Sequence, residues 1–217
     1  MTLSEENYLK AIYHLEKHYK EGVPTNAIAE EMETKASSVT DMLKKLSEKN
    51  VLTHKKYQGA RLTKKGMLHA KSVIRKHRLW ESFLVEKLSF KWDEVHDVAE
   101  QLEHIKSEKL ISELDRFLGY PKTDPHGDPI PDEDGNIQVQ EKQLLSQLEV
   151  GERGICVGVK DSSAAFLQYL DKHGISLGKE LVVLHKEEYD ESMIVELDGN
   201  KITISNQGAS NLYLKQK

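Results

Sequence analysis

Along the first stretch of the chain, Tyr8, Leu9, Ile12, Tyr13 and Leu15 recur at helical spacing. That period predicts an amphipathic helix from Ser4, a candidate N-cap, to about Tyr19. Thr25 then caps a short helix carrying Ile28, Ala29 and Met32, and a break at Glu33-Thr34-Lys35-Ala36 leads to another. This second capped helix starts at Ser37 or Ser38, buries Val39, Met42, Leu43 and Leu46, and turns Thr40, Asp41, Lys44 and Lys45 outward. A short helix, a tight turn and a longer helix with polar and basic residues at its start form a helix-turn-helix. The pattern then changes to two short extended pieces, 53–57 and 60–63, joined around Gln58-Gly59. They predict a hairpin, with the glycine supplying positive φ at the turn. A long helix follows over 63–86, with Met67, Ala70, Val73, Ile74, Phe83 and Leu84 inward, and Trp92-Asp93 opens the next. From Ile105 to Leu118 a further helical run carries Ile105, Leu110, Ile111, Leu114 and Phe117, more apolar surface than one small bundle needs. Part of that face is expected to pair two subunits.

Residues 119–143 break the periodicity with Pro121, Pro125, Pro129 and Pro131 and read as a linker. Beyond Leu144 the chain is strand-like at 154–159, 180–185, 193–197 and 201–205, with one short helix over 162–173. About seventy residues of this kind predict a small five-stranded barrel. The expected fold is mainly α with a small β part. It comprises a winged helix-turn-helix (1–65), a helical domain (66–120), the linker (121–143) and the β domain (144–217).

Charge sharpens this division. The chain carries a net −5 over 217 residues, yet residues 1–66 hold 12 Lys+Arg against 9 Asp+Glu, which leaves −8 for the rest. Within 35–65 nine basic residues, Lys35, Lys44, Lys45, Lys49, Lys55, Lys56, Arg61, Lys64 and Lys65, face only Asp41 and Glu48. A basic patch on an otherwise acidic chain points to a polyanion partner for that region alone. The hairpin then reads as a wing along the phosphate backbone, where Lys55, Lys56 and Arg61 supply salt-dependent affinity. Lys35, Ser37, Ser38, Thr40 and Asp41 sit where base edges are read, and Thr25, Lys44 and Lys45 complete the expected DNA-facing set. No apolar run reaches membrane-spanning length, and Met1-Thr-Leu-Ser-Glu-Glu lacks a basic-then-apolar signal, so a cytoplasmic protein is expected. The single cysteine, Cys156, excludes an internal disulfide framework and any cysteine-based metal cluster, and reads as part of the barrel core.

The acidic chemistry gathers at His96-Asp97-Val98-Ala99-Glu100-Gln101-Leu102-Glu103-His104. At about 100° per residue, His96, Glu100, Glu103 and His104 share one arc of a helix while Val95, Ala99, Leu102 and Ile105 lie mostly on another. Two imidazoles and two carboxylates on one stripe suit a divalent transition metal. Alone, such a stripe serves equally as a solvated face. His77 and Glu81, at i, i+4 on the preceding helix, tip it toward metal. In the linker, Asp124-Pro125-His126 holds a carboxylate near an imidazole, either as a turn or as further ligands.

Taken together, the chain resembles the DtxR/MntR family of metal-dependent repressors over essentially its whole length. The resemblance rests on Tyr8-Leu9-Lys10-Ala11-Ile12-Tyr13, Ser37-Ser38-Val39-Thr40 and Arg75-Lys76-His77-Arg78-Leu79. Val95-His96-Asp97 with Glu103-His104, and Pro125-His126-Gly127-Asp128-Pro129-Ile130-Pro131, complete it. It implies an SH3-like, FeoA-type C-terminal domain and a primary metal site including His77, Glu100, Glu103 and His104 with a side chain from the first helix. That first-helix ligand is Asp or Met in the family; here it is Asn7, whose amide oxygen can still ligate, and a second family carboxylate is replaced by Lys10. The resemblance further implies a second site of Glu81, Asp124, His126 and Asp161, with His96 either a ligand or an orienting partner. Glu100 stands where iron-sensing members carry Cys, and a hard carboxylate favours Mn²⁺.

The expected function is therefore a homodimeric repressor that binds a palindromic double-stranded operator when loaded with Mn²⁺, with two or more ions per chain, and controls metal homeostasis. Fe²⁺ is the alternative activator, and Zn²⁺ is expected to occupy the sites in vitro. A metal-independent winged-helix regulator would instead keep its operator affinity after chelation. An enzyme is not expected: Glu100-x-x-Glu103-His104 is one residue away from the inverted zinc-protease motif, but no separate base is evident for activating a metal-bound water.

Overall fold

The computed structural model describes residues 1–55, 58–138 and 141–216. They fall into two compact units, Met1–His77 with Glu100–Glu108 and Pro131–Ile137, and Arg78–Ala99 with Lys109–Ile130 and Gln138–Lys217.

The first unit begins with α1 (Leu3–Leu15), capped by Thr2 rather than Ser4. Thr2 and Glu5 form a capping box that satisfies two backbone amides reciprocally. The helix stops at Leu15, four residues short of the expected end. Next come α2 (Thr25–Glu31), with Pro24 in the cap position and Thr25 as its first residue, and α3 (Ala36–Glu48), which starts one residue before the expected serines. β1 (Leu52–Lys55) and β2 (Gly59–Leu62) pair antiparallel, from Leu52 opposite Leu62 to Lys55 opposite Gly59. Lys56 lies outside the described residues. Val23 adds an isolated antiparallel bridge to Ala60, so the hairpin is anchored to the chain entering α2. Leu9, Ile12, Ile28, Val39, Leu43, Leu46 and Ala60 are fully buried in one core. α1, α2, α3 and the hairpin thus make the winged helix-turn-helix that the periodicity predicts. The long helix α4 (Lys64–Leu88) starts against this core. A Cβ on Gly66 would stand 1.8 Å from the Val51 carbonyl oxygen, so only glycine lets the helix approach that closely.

In the second unit a six-stranded antiparallel sheet replaces the expected five strands, in the order β3-β8-β4-β5-β6-β7. The strands are β3 (Gln143–Leu144), β4 (Arg153–Val159), β5 (Glu180–Lys186), β6 (Met193–Leu197), β7 (Asn200–Ile204) and β8 (Leu212–Gln216). The sequence pattern missed β3 and β8. One is two residues long, and the other alternates too briefly to stand out from a C-terminal tail. Leu145, Leu148, Cys156, Leu167, Leu181, Val195 and Leu214 lie in its core, with Trp92 packed against it. The helix α7 (Ala164–Lys172) is capped by Ser163, and α8 (Asn206–Ala209) by Ser205.

Two expectations need correction: the acidic stripe does not share one helix as far as His104, and the following helix does not start at Ile105. α5 spans only His96–Leu102, Ile105 donates back to the Leu102 carbonyl, and α6 begins afresh at Glu108 and ends at Phe117. Glu103 and His104 therefore sit in the turn beyond α5, where side chains are no longer constrained to one helical arc.

Candidate functional site

On α3, Lys35, Ser37, Ser38, Thr40, Asp41, Lys44 and Lys45 are all exposed, as are Lys55 and Arg61 on the hairpin, while Thr25 is half-buried. The Thr40 hydroxyl donates to the Ala36 carbonyl one turn back. Lys49 points the other way, with Nζ 2.6 and 2.8 Å from the two oxygens of buried Glu5. That hydrogen bond holds the Glu5 carboxyl below its usual range. Lys49 thus joins α3 to α1 and leaves the outward face to the other bases.

Two clusters of acids and imidazoles lie among the described residues, one in each unit. In the first unit Glu103 is fully buried, and its Oε2 lies 2.7 Å from His77 Nδ1. Lys10 reaches from α1 to the same carboxylate, with Nζ 2.9 and 2.7 Å from its two oxygens, and also donates to Glu100 Oε1. His104 Nδ1 lies 2.6 Å from Glu6 Oε2, and its Nε2 3.6 Å from Glu103 Oε1. Asn7 completes the α1 contribution: its side-chain oxygen is buried and has no hydrogen-bond partner. Sequence reasoning did not single out Glu6. Its place on α1, one turn before Lys10, was the available signal, but its imidazole partner is 98 residues away.

The second unit holds Glu81, Asp124 and His126, whose ligand atoms lie within 4.8 Å of one another, and all three are buried. Asp124 is organised by its own backbone: Oδ1 accepts the amides of His126 at 2.8 Å and Asp128 at 3.0 Å, which makes the turn rigid. Gly127 has φ +83° and passes so close to β4 that a Cβ would stand 2.0 Å from the Val157 oxygen. The Val159 amide donates to the His126 carbonyl at 2.9 Å, so β4 grips this turn from the other side. His126 Nε2 lies 2.7 Å from the Trp92 carbonyl, and its ring stacks on Trp92. A carbonyl only accepts, so Nε2 carries the hydrogen and Nδ1 is the atom turned to Glu81 Oε2 at 3.5 Å. A ring fixed in this tautomer is how proteins orient a metal-binding imidazole.

Burial and neighbouring charges set the electrostatics of this second cluster. Burial raises the Asp124 carboxyl to about 7, the Glu81 charge adds to the rise, and Arg78 at 3.4 Å opposes it. Burial alone would lower His126, but its hydrogen bond to Glu81 and the charges of Glu81 and Asp124 outweigh that and raise it to about 9. His96 is exposed, with Nδ1 3.6 Å from Glu81 Oε1. Asp161 is not one of the three convergent residues; its Oδ1 accepts the Ser163 amide at 2.8 Å, in the turn that leads into α7. Burial pushes the Cys156 thiol up to about 11, as expected of a core residue.

A third surface is apolar. Trp80 and Phe83 on α4 meet Phe117 at the end of α6, with ring centroids 5.8 Å apart for Trp80 and Phe83 and 6.2 Å for Phe83 and Phe117. Ile111 and Leu114 are buried within the chain, whereas Leu110 and Phe117 are exposed.

A winged helix-turn-helix followed by helices that gather buried acids and imidazoles, and then by a small β domain, defines a DNA-binding protein with an appended metal-binding module. Comparison with known proteins gives the particular family. Residues 1–60 match the model for the iron dependent repressor N-terminal DNA binding domain and residues 63–132 its metal binding and dimerisation domain. Residues 143–216 match the FeoA domain. The chain is 39% identical over 128 residues, 58% of its own length, to the iron-dependent repressor IdeR of Mycobacterium leprae, and spans only 54% of that relative. It is 34% identical over 123 residues to the transcriptional regulator MntR of Oceanobacillus iheyensis, covering 57% of this chain and 82% of that one. A solved manganese-dependent transcriptional repressor in complex with manganese superposes with a TM-score of 0.85 at 33% identity, covering 98% of this chain and all of that one. The chain belongs to the DtxR/MntR family of metal-dependent repressors.

Proposed function

We propose that the chain is a metal-activated, DNA-binding transcriptional repressor of metal homeostasis, that Mn²⁺ is its preferred activator, and that it acts as a homodimer on a two-fold-symmetric operator. The observation that carries this reading is the joint presence of an exposed polar and basic α3 face and a buried, thiol-free set of convergent ligands, Glu81, Asp124 and His126. The donor set fits a divalent cation. Two desolvated carboxylates and an imidazole held in one tautomer are costly to bury without positive charge, and the Asp124 and His126 shifts record that cost. Glu100, Glu103, His77 and His104, with the unpartnered Asn7 oxygen, form a second donor set of the same chemistry. When bound, the ion would supply a divalent positive charge to these donors. The residues do the rest: Asp124 shapes the turn, Trp92 orients His126, and Glu6, Asn7 and Lys10 bring α1 to the acids beyond α5.

All-nitrogen-and-oxygen ligation favours Mn²⁺ over softer ions. Fe²⁺ remains the second reading, because relatives named for iron and for manganese both match the chain. The regulatory role is favoured over catalysis because the acids and imidazoles accompany an exposed polar and basic α3 face on a winged helix-turn-helix, a nucleic-acid surface that a hydrolase has no need of. A single winged helix reads only a few base pairs, so a second copy is required. The apolar face of Trp80, Phe83, Leu110 and Phe117 is the surface we assign to it.

The test is operator affinity measured with Mn²⁺, Fe²⁺ held reduced, Zn²⁺ and chelator. Binding is expected to fall at least a hundredfold on chelation and to recover best with Mn²⁺. Equal affinity in chelator would overturn metal activation, and an active Fe²⁺ form beside an inert Mn²⁺ form would reverse the metal assignment.

A further inference from the structure

The carboxylates of Glu100, on α5, and Glu103, just beyond it, already have a cation. An ammonium has three N–H donors, and Lys10 spends its hydrogen bonds on both oxygens of Glu103 and on Glu100 Oε1. The side chain of Glu103 is 0% exposed and that of Lys10 only 16%. This is not a surface ion pair exchanging freely with water. The nearest equivalent at Glu81, Asp124 and His126 is Arg78, which stands 3.4 Å from Asp124 while its guanidinium also bonds Asp128 and the Pro129 carbonyl. Arg78 flanks that cluster; Lys10 occupies the space between the two carboxylates of the other.

Resting on the metal-binding half of the function proposed above, we propose that Lys10 is a tethered competitor for divalent metal, a resident cation that must be withdrawn before an ion can take Glu100 and Glu103. The carboxylate oxygens that receive its protons are the lone pairs a metal would need. An ammonium left among them would repel the incoming ion in a partly desolvated space, where such repulsion is poorly screened. Lysine is suited to this role because its charge rides on a flexible four-carbon stem that can swing out, whereas a guanidinium fork would be held in place by its geometry. The Asn7 oxygen, one turn earlier on α1, is the acceptor that stays unused while Lys10 holds the acids. Two consequences follow. The Glu100/Glu103 cluster loads more weakly than the Glu81/Asp124/His126 cluster. In the metal-free chain, Lys10 ties α1 to the turn beyond α5.

The experiment titrates Mn²⁺ into the full chain without DNA, following free Mn²⁺ by electron paramagnetic resonance, for the wild type, Lys10→Ala and Lys10→Met. Removing the ammonium is expected to tighten the weaker binding phase at least tenfold, or to create that phase where the wild type lacks it, and to leave the stronger phase unchanged. Adding Glu100→Gln to Lys10→Met should abolish the gained phase. Unchanged or weaker binding in a variant that melts cooperatively would overturn the proposal. A second readout uses the wild type and does not depend on a variant folding: acetylation of Lys10, read by mass spectrometry, should speed up several-fold when Mn²⁺ is added, and an unchanged or slower rate would also overturn it. A wild type that loads metal but binds operator without it would defeat the proposed function and leave this inference standing.

Discussion

The two clusters solve one problem in opposite ways. Each gathers carboxylates, at least one of them buried, with imidazole, and each must neutralise negative charge taken out of water. Around Glu103 the neutralising charge belongs to the chain itself, as the Lys10 ammonium inside hydrogen-bonding distance. Around Asp124 the Arg78 guanidinium at 3.4 Å supplies only part of it: the carboxyl is still raised to about 7 and the imidazole to about 9, so protons supply the rest. A metal entering the first cluster competes with an amine on a tether, whereas one entering the second competes with hydrogen ions. Donor sets of the same chemistry can thus differ in what governs their loading.

The most damaging way to break this comparison is at His126. His126→Ala is expected to remove one Mn²⁺ per chain and to cost at least tenfold in operator affinity, measured by calorimetry and by gel shift. Its counterpart, Glu100→Gln, should leave the tighter of the two Mn²⁺ phases intact. Next is Gly127→Ala, which combines a φ of +83° with a Cβ 2.0 Å from the Val157 oxygen. It should destabilise the chain by about 2–4 kcal/mol in denaturant unfolding and lower Mn²⁺ affinity without touching a ligand.

The pH dependence sharpens the contrast further. The metal-free protein holds Asp124 protonated up to about pH 7, while the unfolded chain releases that proton near the ordinary aspartate value of 3.8. The folded state therefore binds the extra proton within this window, and the contribution, full below the unfolded value, is lost as pH rises through it. His126 acts with the same sign between 6.5 and about 9. Thermal melts of the metal-free chain should show this as a fall in stability with rising pH. Asp124→Asn should flatten the lower part of that fall, and saturating Mn²⁺ should oppose it at the upper end. The smallest effect expected is at Asp161. Asp161→Ala should cost about 0.5–1 kcal/mol through the lost turn contact to Ser163 and leave the Mn²⁺ count unchanged; a count lower by one per chain would make Asp161 a ligand instead.

How much of this could be read from the sequence depended on the range of the interaction. The helices, the wing and most strands follow local periodicity; α4 lies within two residues of its expected bounds, and α3 starts within two residues of its expected start. His77 and Glu103 do converge, but not through the helical arc that suggested it. Glu103 stands in the turn after α5, and what joins it to His77 is tertiary packing. Asp124 and His126 were legible because proline makes a short segment stiff. Glu81 was legible from its spacing with His77, but its grouping with Asp124 and His126 came only through the family resemblance. Neither the pairing of His104 with Glu6 nor the capture of two acids by Lys10 was legible, because each joins α1 to residues ninety or more positions away and no pattern of spacing encodes it.

The placement of sulfur has a consequence of a different kind. Cys156 is the chain's one cysteine, 1% exposed in the core of the β domain and raised to about 11. Oxidants attack thiolates, and at neutral pH this residue presents almost none. The candidate metal ligands are all carboxylate, imidazole or amide. A peroxide burst therefore finds no cysteine among the candidate ligands to convert to a sulfenic acid, so under the proposed function metal loading would not depend on the state of a thiol.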